Sequence, residues 1–344
     1  MRIAQVAPLY ESVPPRAYGG TERVVSYLTE ELVKQGHEVT LFASGDSTTA
    51  AELIPCCPEA LRLNGCVDPI ALHLAMLERV AKEARRFDII QFHVDYLHYP
   101  YSKRECYKHV TTLHGRLDIP ELLPLYEEFP NIPVISISEA QRKPLRGLNW
   151  RGTIYHGLPR DELTLCEREG NYLAFIGRIS PEKRLDRAIR IAKKVGMNLR
   201  VAAKVDDSDK EYFEREIEPM LHDPLIEFEG EVAGKAKDDF FRGARALLFP
   251  IDWPEPFGLV MIEAMACGTP VIAWGCGSVP EIITDNVNGF IVDNEEEAVK
   301  AVRNIHRLER GRCRRTFEAR FTADRMAQDY VTLYQALIES GSAC

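Results

Sequence analysis

The stretch "PEPFGLVMIEAMACGTPVIA", residues 254 to 273, holds two carboxylates eight positions apart, Glu255 and Glu263. Pro256 and Gly258 stand between them and break any continuous helix across both, so Glu255 is read as a loop residue. Met261, Ile262, Met265 and Ala266 give the buried face of a helix that starts near Gly258, with Glu263 in its early turns. The apolar run "ALLFP" just upstream reads as a strand. Strand, loop and helix start, in that order, make the place where open α/β sheets bind ligands. The backbone N–H groups of Phe257, Gly258 and Leu259 would form an anion site there. Glu255 would repel a bare anion. A phosphate ligand that also carries hydroxyls suits both features, because carboxylates accept charge-assisted hydrogen bonds from sugar hydroxyls. The arrangement suggests a sugar nucleotide, with the sugar at one glutamate and the ribose at the other. Two further readings of the pair stay open on spacing alone. Glu263 as a solvated helix residue, with Glu255 stabilised by the helix dipole, is one. A glycosidase dyad is the other.

Cations follow in "FIGRISPEKRLD". Arg178 ends a predicted strand, and Lys183 opens the next predicted helix, with Pro181 suited to its first position. Both can reach one crevice, where they would stabilise the charge that gathers on a departing diphosphate without a metal. The plain alternative is two solvated surface charges. In the first half, "AYGGTE" places Gly19 and Gly20 in the loop after the first strand, where adjacent glycines let backbone N–H groups approach a phosphate or an acceptor. "TTLHG" puts His114 at a strand end before a glycine, the position expected of a site residue, although a lone histidine is also an ordinary structural hydrogen-bonder. No G-x-G-x-x-G occurs, which counts against a dinucleotide oxidoreductase.

These residues need a scaffold of strands alternating with helices. "RIAQVAP", "HEVTLFAS", "DIIQFH", "HVTTLHG", "PVISIS" and "TIYHG" read as six strands of the first half, with helices at "ERVVSYLTEELVKQG" and "PIALHLAMLERVAKEARR" and an irregular stretch from about 50 to 68. The pattern restarts with "YLAFIGR", "NLRVAAK", "IEFEG", "ALLFP", "PVIAW" and "GFIVD", separated by helices such as "RLDRAIRIAKKVG", "KEYFEREIEPML" and "KAKDDFFRGA". Alternation of this kind implies βαβ units and two doubly wound parallel sheets. The expected division is residues 1–160 and 161–322, with a final helix from about 323 to 344 crossing back to the first domain.

The chain has 344 residues, which suits two domains, and its 45% apolar content can fill two cores. A net charge of -9 disfavours nucleic acid as a partner. No apolar run reaches the length of a membrane span and the N-terminus lacks a signal-peptide pattern, so the expectation is a cytoplasmic protein without stable membrane insertion. The nine cysteines are irregularly spaced without a C-x-x-C, which reads as free thiols rather than a metal site at Cys56, Cys57 and Cys66. The basic run "RNIHRLERGRCRR", 303 to 315, reads as a solvated helix face.

The set "GGTE", "TLHG", "GRISPEKR" and "PEPFGLVMIEAMACGTPVIA…GSVPEII" resembles glycosyltransferase family 4, from residue 1 to the final helix and most specifically between 174 and 293. The resemblance implies the GT-B fold, two Rossmann-like domains facing a central cleft. It implies a retaining transfer of a hexose from a nucleotide-diphosphate sugar, UDP-glucose first, to an acceptor hydroxyl by a metal-independent front-face mechanism. It also assigns roles. Glu255 would hold donor-sugar hydroxyls and Glu263 the ribose. Arg178 and Lys183 would hold the diphosphate, and Phe257, Gly258 and Leu259 would offer backbone donors. His114 would sit beside the reacting centre, and Gly19 and Gly20 would face phosphates or acceptor. Glu281, in "SVPEII", is left without a defined role. The acceptor would be a small molecule, a saccharide or a lipid-linked sugar. A GT-B sugar-nucleotide epimerase and a non-catalytic sugar-nucleotide-binding protein are the alternative functions.

Overall fold

A computed structural model describes residues 1–16, 19–62, 64–105 and 107–340. Ala17 and Tyr18 of the glycine loop, and the thiols Cys106 and Cys344, lie outside the described residues. The chain divides into two compact units, one of Met1–Pro159 with Ala323–Cys344 and one of Arg160–Thr322.

The first unit is built on a parallel sheet of β1 (Arg2–Val6), β2 (Glu38–Ser44), β3 (Glu52–Cys57), β4 (Ile89–Phe92), β5 (His109–Thr112), β6 (Val134–Ser136) and β7 (Trp150–Thr153), in the order β3-β2-β1-β4-β5-β6-β7. Ile3 pairs with Val39 on one side and Ile89 on the other. The central strands are buried on both faces, which is why they read as apolar runs rather than alternations. The helix Gly20–Lys34 buries Val24, Val25, Leu28 and Leu32, the stripe expected from period 3.6. The last helix, Ala323–Glu339, belongs to this unit, and two fully buried tyrosines fasten it. Gln5 Nε2 donates to the Tyr334 hydroxyl at 3.2 Å, and Tyr330 shares a 2.9 Å hydrogen bond with Thr112.

The second unit carries β8 (Tyr172–Arg178), β9 (Leu199–Lys204), β10 (Ile226–Gly230), β11 (Ala244–Phe249), β12 (Val271–Trp274) and β13 (Gly289–Val292), in the order β10-β9-β8-β11-β12-β13. All described pairings are parallel. In both sheets the chain winds outward in one direction and then returns to wind in the other. The reversal falls between β1 and β4 in the first sheet and between β8 and β11 in the second.

Several expectations need correction. The stretch 50–68 is not wholly irregular, because it contains β3. Pro55 disguised that strand, and the sheet tolerates it since β3 is an edge. "TIYHG" is not a strand: β7 ends at Thr153, and His156 lies in the loop beyond. "KEYFEREIEPML" is not one α-helix but successive α, π and 3-10 turns, as Pro219 removes a helical donor. Pro181–Lys183 is a separate 3-10 turn, and the helix starts at Leu185 after Arg184 in the left-handed region at φ 54°.

The basic run is the largest departure. The helix Arg310–Arg320 buries Arg310, Cys313 and Phe317. The Arg310 guanidinium donates to the carbonyls of Cys166, Ala244, Arg242 and Cys267 and to Thr269 Oγ1. Arg314 donates to the carbonyls of Leu163, Ala266 and Arg160. These two side chains satisfy backbone acceptors around the C-terminus of the Glu263 helix, a brace that five rigid donors per guanidinium allow. The solvated-face reading holds only for neighbours such as exposed Arg312 and Arg315.

Candidate active site

Ligands of open α/β sheets bind beyond the carboxyl ends of the strands where the winding reverses. In the second unit that point is flanked by the end of β8 and the turn after it, carrying Arg178 and Lys183, and the loop after β11, carrying Glu255. The two loops are tied, since Asp252 N–H donates to the Glu182 carbonyl at 2.8 Å. Lys183 Nζ forms an ion pair with Glu255 Oε2, with the ammonium 4.8 Å from the Trp253 ring centroid and 5.7 Å from that of Phe249. Both partners are largely buried. The two charges stand 72 residues apart in the chain, and the fold makes them neighbours.

Arg178 sits differently. Its guanidinium faces three carboxylates, Glu182 at 2.7 Å, Asp209 at 3.6 Å and Asp206 at 3.7 Å. It is a cation already surrounded by acids, whereas Lys183 has one. Glu263 is 5% exposed on the second turn of the helix Leu259–Ala266 and pairs with Lys237 Nζ at 2.5 Å. Lys237, from the helix Gly234–Gly243, was not foreseen; only its place on the inner face of that helix could have marked it. Glu263 is therefore a buried, paired carboxylate, not a solvated one.

Backbone geometry shapes the Glu255 loop. Gly258 caps the helix at φ 80°, and a Cβ there would fall 2.8 Å from Met261 Cε. Phe257 buries its ring edge-on against Phe321, with centroids 6.2 Å apart, so the loop is anchored through its side chain. Beneath it lies "GSVPE". Ser278 N–H donates to the Glu255 carbonyl at 3.0 Å and Ser278 Oγ to the Phe257 carbonyl at 2.8 Å. Gly277, at φ 58°, leaves so little room that a Cβ would lie 2.4 Å from Glu255 N and O. Glu281 offers its carbonyl to Arg320 at 2.6 Å.

In the first unit the reversal lies between β1 and β4. The loop after β1 leads through Gly19 into the helix that Gly20 begins. A Cβ on Gly19 would meet Pro15 Cβ at 2.7 Å, so close packing of the loop on itself demands glycine here. Glu11 and Glu22 are buried, and burial pushes the Glu22 carboxyl up to about 7. His114 follows β5. Its Nε2 lies 2.8 Å from His93 Nδ1, and its ring stacks on His156 at 5.3 Å between centroids. Part of the ring is accessible, but its nitrogens are enclosed, and burial pushes the imidazolium down to about 3. His114 is thus a neutral ring at neutral pH. Asp95, held at φ 49°, takes the backbone N–H of His114, and burial raises its carboxyl to about 6. His93, Asp95 and His156 escaped the sequence reading. All three stand just beyond strand ends, the same signal that marked His114.

The seven described cysteines are free thiols. No group of three or more metal-ligating side chains occurs among the described residues, and no helix there is long and apolar enough to cross a membrane.

Comparison with known proteins identifies the relatives of the chain. Residues 18–156 match the Glycosyltransferase Family 4 model and residues 164–320 the model for Glycosyl transferases group 1. An uncharacterized glycosyltransferase of Methanocaldococcus jannaschii is 26% identical over 85% of both chains. A 41.2 kDa protein in the cps region of Klebsiella pneumoniae is 29% identical over 49% of this chain, a match that spans about half (48%) of that relative. Among solved structures, AviGT4, a glycosyltransferase involved in avilamycin A biosynthesis, superposes with a TM-score of 0.77 at 22% identity over 98% of both chains. Anabaena HepE, solved with UDP and glucose, does so with a TM-score of 0.74 at 18% identity over 98% of this chain and 100% of its own. With one model on each parallel-sheet unit and GT-B glycosyltransferases as its structural neighbours, the chain belongs to the group 1, family 4 glycosyltransferases.

Proposed function

We propose that this protein is a retaining glycosyltransferase that moves a hexose from a nucleotide-diphosphate sugar, UDP-glucose first, to an acceptor hydroxyl without a metal. The observation that carries this reading is the Lys183–Glu255 pair at the reversal point of the second sheet. An ammonium beside a carboxylate suits a ligand that is anionic at one end and hydroxylated at the other. The diphosphate takes Lys183, a sugar hydroxyl takes Glu255, and each exchanges one charged partner for another. Arg178 and the N–H groups of Phe257, Gly258 and Leu259 supply further donors to the diphosphate as its charge grows. Glu263, preset by Lys237, holds the ribose. The complexes of HepE with UDP and glucose support UDP-glucose as the first donor to try.

His114, neutral beside the first-unit reversal point, faces the reacting sugar, with the Gly19–Gly20 loop toward phosphates or acceptor. The acceptor oxygen forms its bond to the anomeric carbon on the face from which the diphosphate leaves. The carbon–phosphate oxygen bond breaks, and the acceptor proton passes to the leaving phosphate oxygen. The acceptor is a small molecule, a saccharide or a lipid-linked sugar, bound by the first unit, and the site of action is the cytoplasm, where free thiols persist. The test is nucleotide release from a panel of UDP-, GDP- and ADP-sugars, with and without EDTA, followed by anomeric analysis of the product. EDTA-insensitive release from UDP-glucose with retained configuration is the expected result. Absence of both release and binding across the panel would remove the reading, and an isomerised sugar nucleotide would replace it with epimerisation.

A further inference from the structure

A continuous buried chain of hydrogen bonds runs from the last helix to His114. Gln5 Nε2 donates to Tyr334 OH at 3.2 Å, Gln5 Oε1 lies 2.8 Å from His93 Nε2, and His93 Nδ1 lies 2.8 Å from His114 Nε2. Gln5, His93 and Tyr334 are at most 2% exposed. The chemistry of each link decides the next. A carboxamide oxygen only accepts, so His93 must carry its proton on Nε2. His93 Nδ1 is then bare and can only accept, so His114 must carry its proton on Nε2. His114 Nδ1 is left bare, buried and, among the described residues, without a hydrogen-bond partner. A buried acceptor of this kind is costly unless a donor arrives to meet it.

We propose that His93, oriented by Gln5 and Tyr334, is a positioning residue that fixes His114 as its Nε2–H tautomer, so that Nδ1 accepts a hydrogen bond from a hydroxyl of the bound ligand. This rests on the reading above that His114 faces the ligand. It adds the direction of the contact. The ligand atom opposite Nδ1 is a donor, and a sugar deoxygenated at that carbon loses the bond.

The tautomer is readable in the free protein by two-bond proton–nitrogen spectra of 15N-histidine-labelled enzyme at pH 7.5, with the His114 signal assigned by its loss in His114→Gln. The expected wild-type pattern has Nε2 protonated and Nδ1 bare. His93→Phe and Gln5→Met remove the constraint, and the His114 signal should change to a mixture of both forms, with turnover of UDP-glucose lowered about tenfold. His93→Gln keeps one acceptor and one donor in the chain and should restore the single tautomer and most of the turnover. A proton on Nδ1 in the wild type, or an unchanged single tautomer in both His93→Phe and Gln5→Met, overturns the proposal, and the wild-type spectrum decides the first point even if the variants fail to fold. Unchanged turnover in His114→Gln would instead remove His114 from the ligand, whatever the tautomer.

Discussion

Glu255 is where a single atom's charge matters most. Its carboxylate balances Lys183 in the free protein and, on the proposed function, accepts sugar hydroxyls when the diphosphate takes the ammonium. Glu255→Gln keeps shape and acceptor but removes the charge that makes those bonds strong. Turnover should fall at least tenfold, on the order of 1.4 kcal/mol of lost transition-state stabilisation. If Glu255 served only as counter-ion to Lys183, the variant would bind nucleotide more tightly and turn over normally, and steady-state kinetics with a nucleotide titration separate the two outcomes. Glu255, Lys183 and Glu263 were legible in the sequence because proline and glycine interrupt an apolar pattern beside them. Lys237 and His93 were not, since their meaning lies in partners 26 and 88 residues away, Glu263 and Gln5. No local pattern encodes those pairings.

At the scale of elements, the Glu255 loop is held from below by "GSVPE". Gly277 has a left-handed φ, and a Cβ added there would fall 2.4 Å from Glu255 N and O, backbone that cannot swing aside as a long side chain could. Gly277→Ala should displace that loop, lowering turnover more than tenfold and stability by roughly 1–3 kcal/mol. Gly147→Ala is the control, because nothing lies within 4 Å of its added Cβ. Equal melting temperatures and equal turnover in the two variants would mean that the clamp does not set the loop. Elements with long, clean periodicity, such as the helix Gly20–Lys34 and β8 to β13, were readable. Those that depend on their surroundings were hidden. β3 carries a proline that only an edge strand admits, and the helix Arg310–Arg320 looks solvated until the carbonyls that its arginines cap are in place.

On the whole-molecule scale, titratable burial is uneven. His73, His93, His98, His109, His114 and His156 are all in the first unit, and burial holds each below the ordinary histidine value. In the second unit His222 and His306 are exposed. A group whose folded value is depressed is neutral in the native state while the unfolded chain takes up protons below about 6.5. Stability is therefore fully present above that pH and is lost as pH falls, by about 1.4 kcal/mol per histidine per pH unit. Glu22 and Asp95 act oppositely. Their folded values of about 7 and about 6 let the native state keep protons that the unfolded chain releases, so acidification towards their unfolded values near 4.5 and 3.8 adds stability. Two such groups do not offset six. Three histidines over the roughly 1.5 pH units between 6.5 and 5 already amount to roughly 6 kcal/mol, comparable with the whole stability of a domain. Between pH 7.5 and 5 the first unit should therefore open before the second. Amide hydrogen exchange, expressed as protection factors at each pH, should show β1 to β7 losing protection while β8 to β13 keep theirs. Loss of protection in the second unit first, or in both at the same pH, would mean that the buried histidines do not control the acid limit.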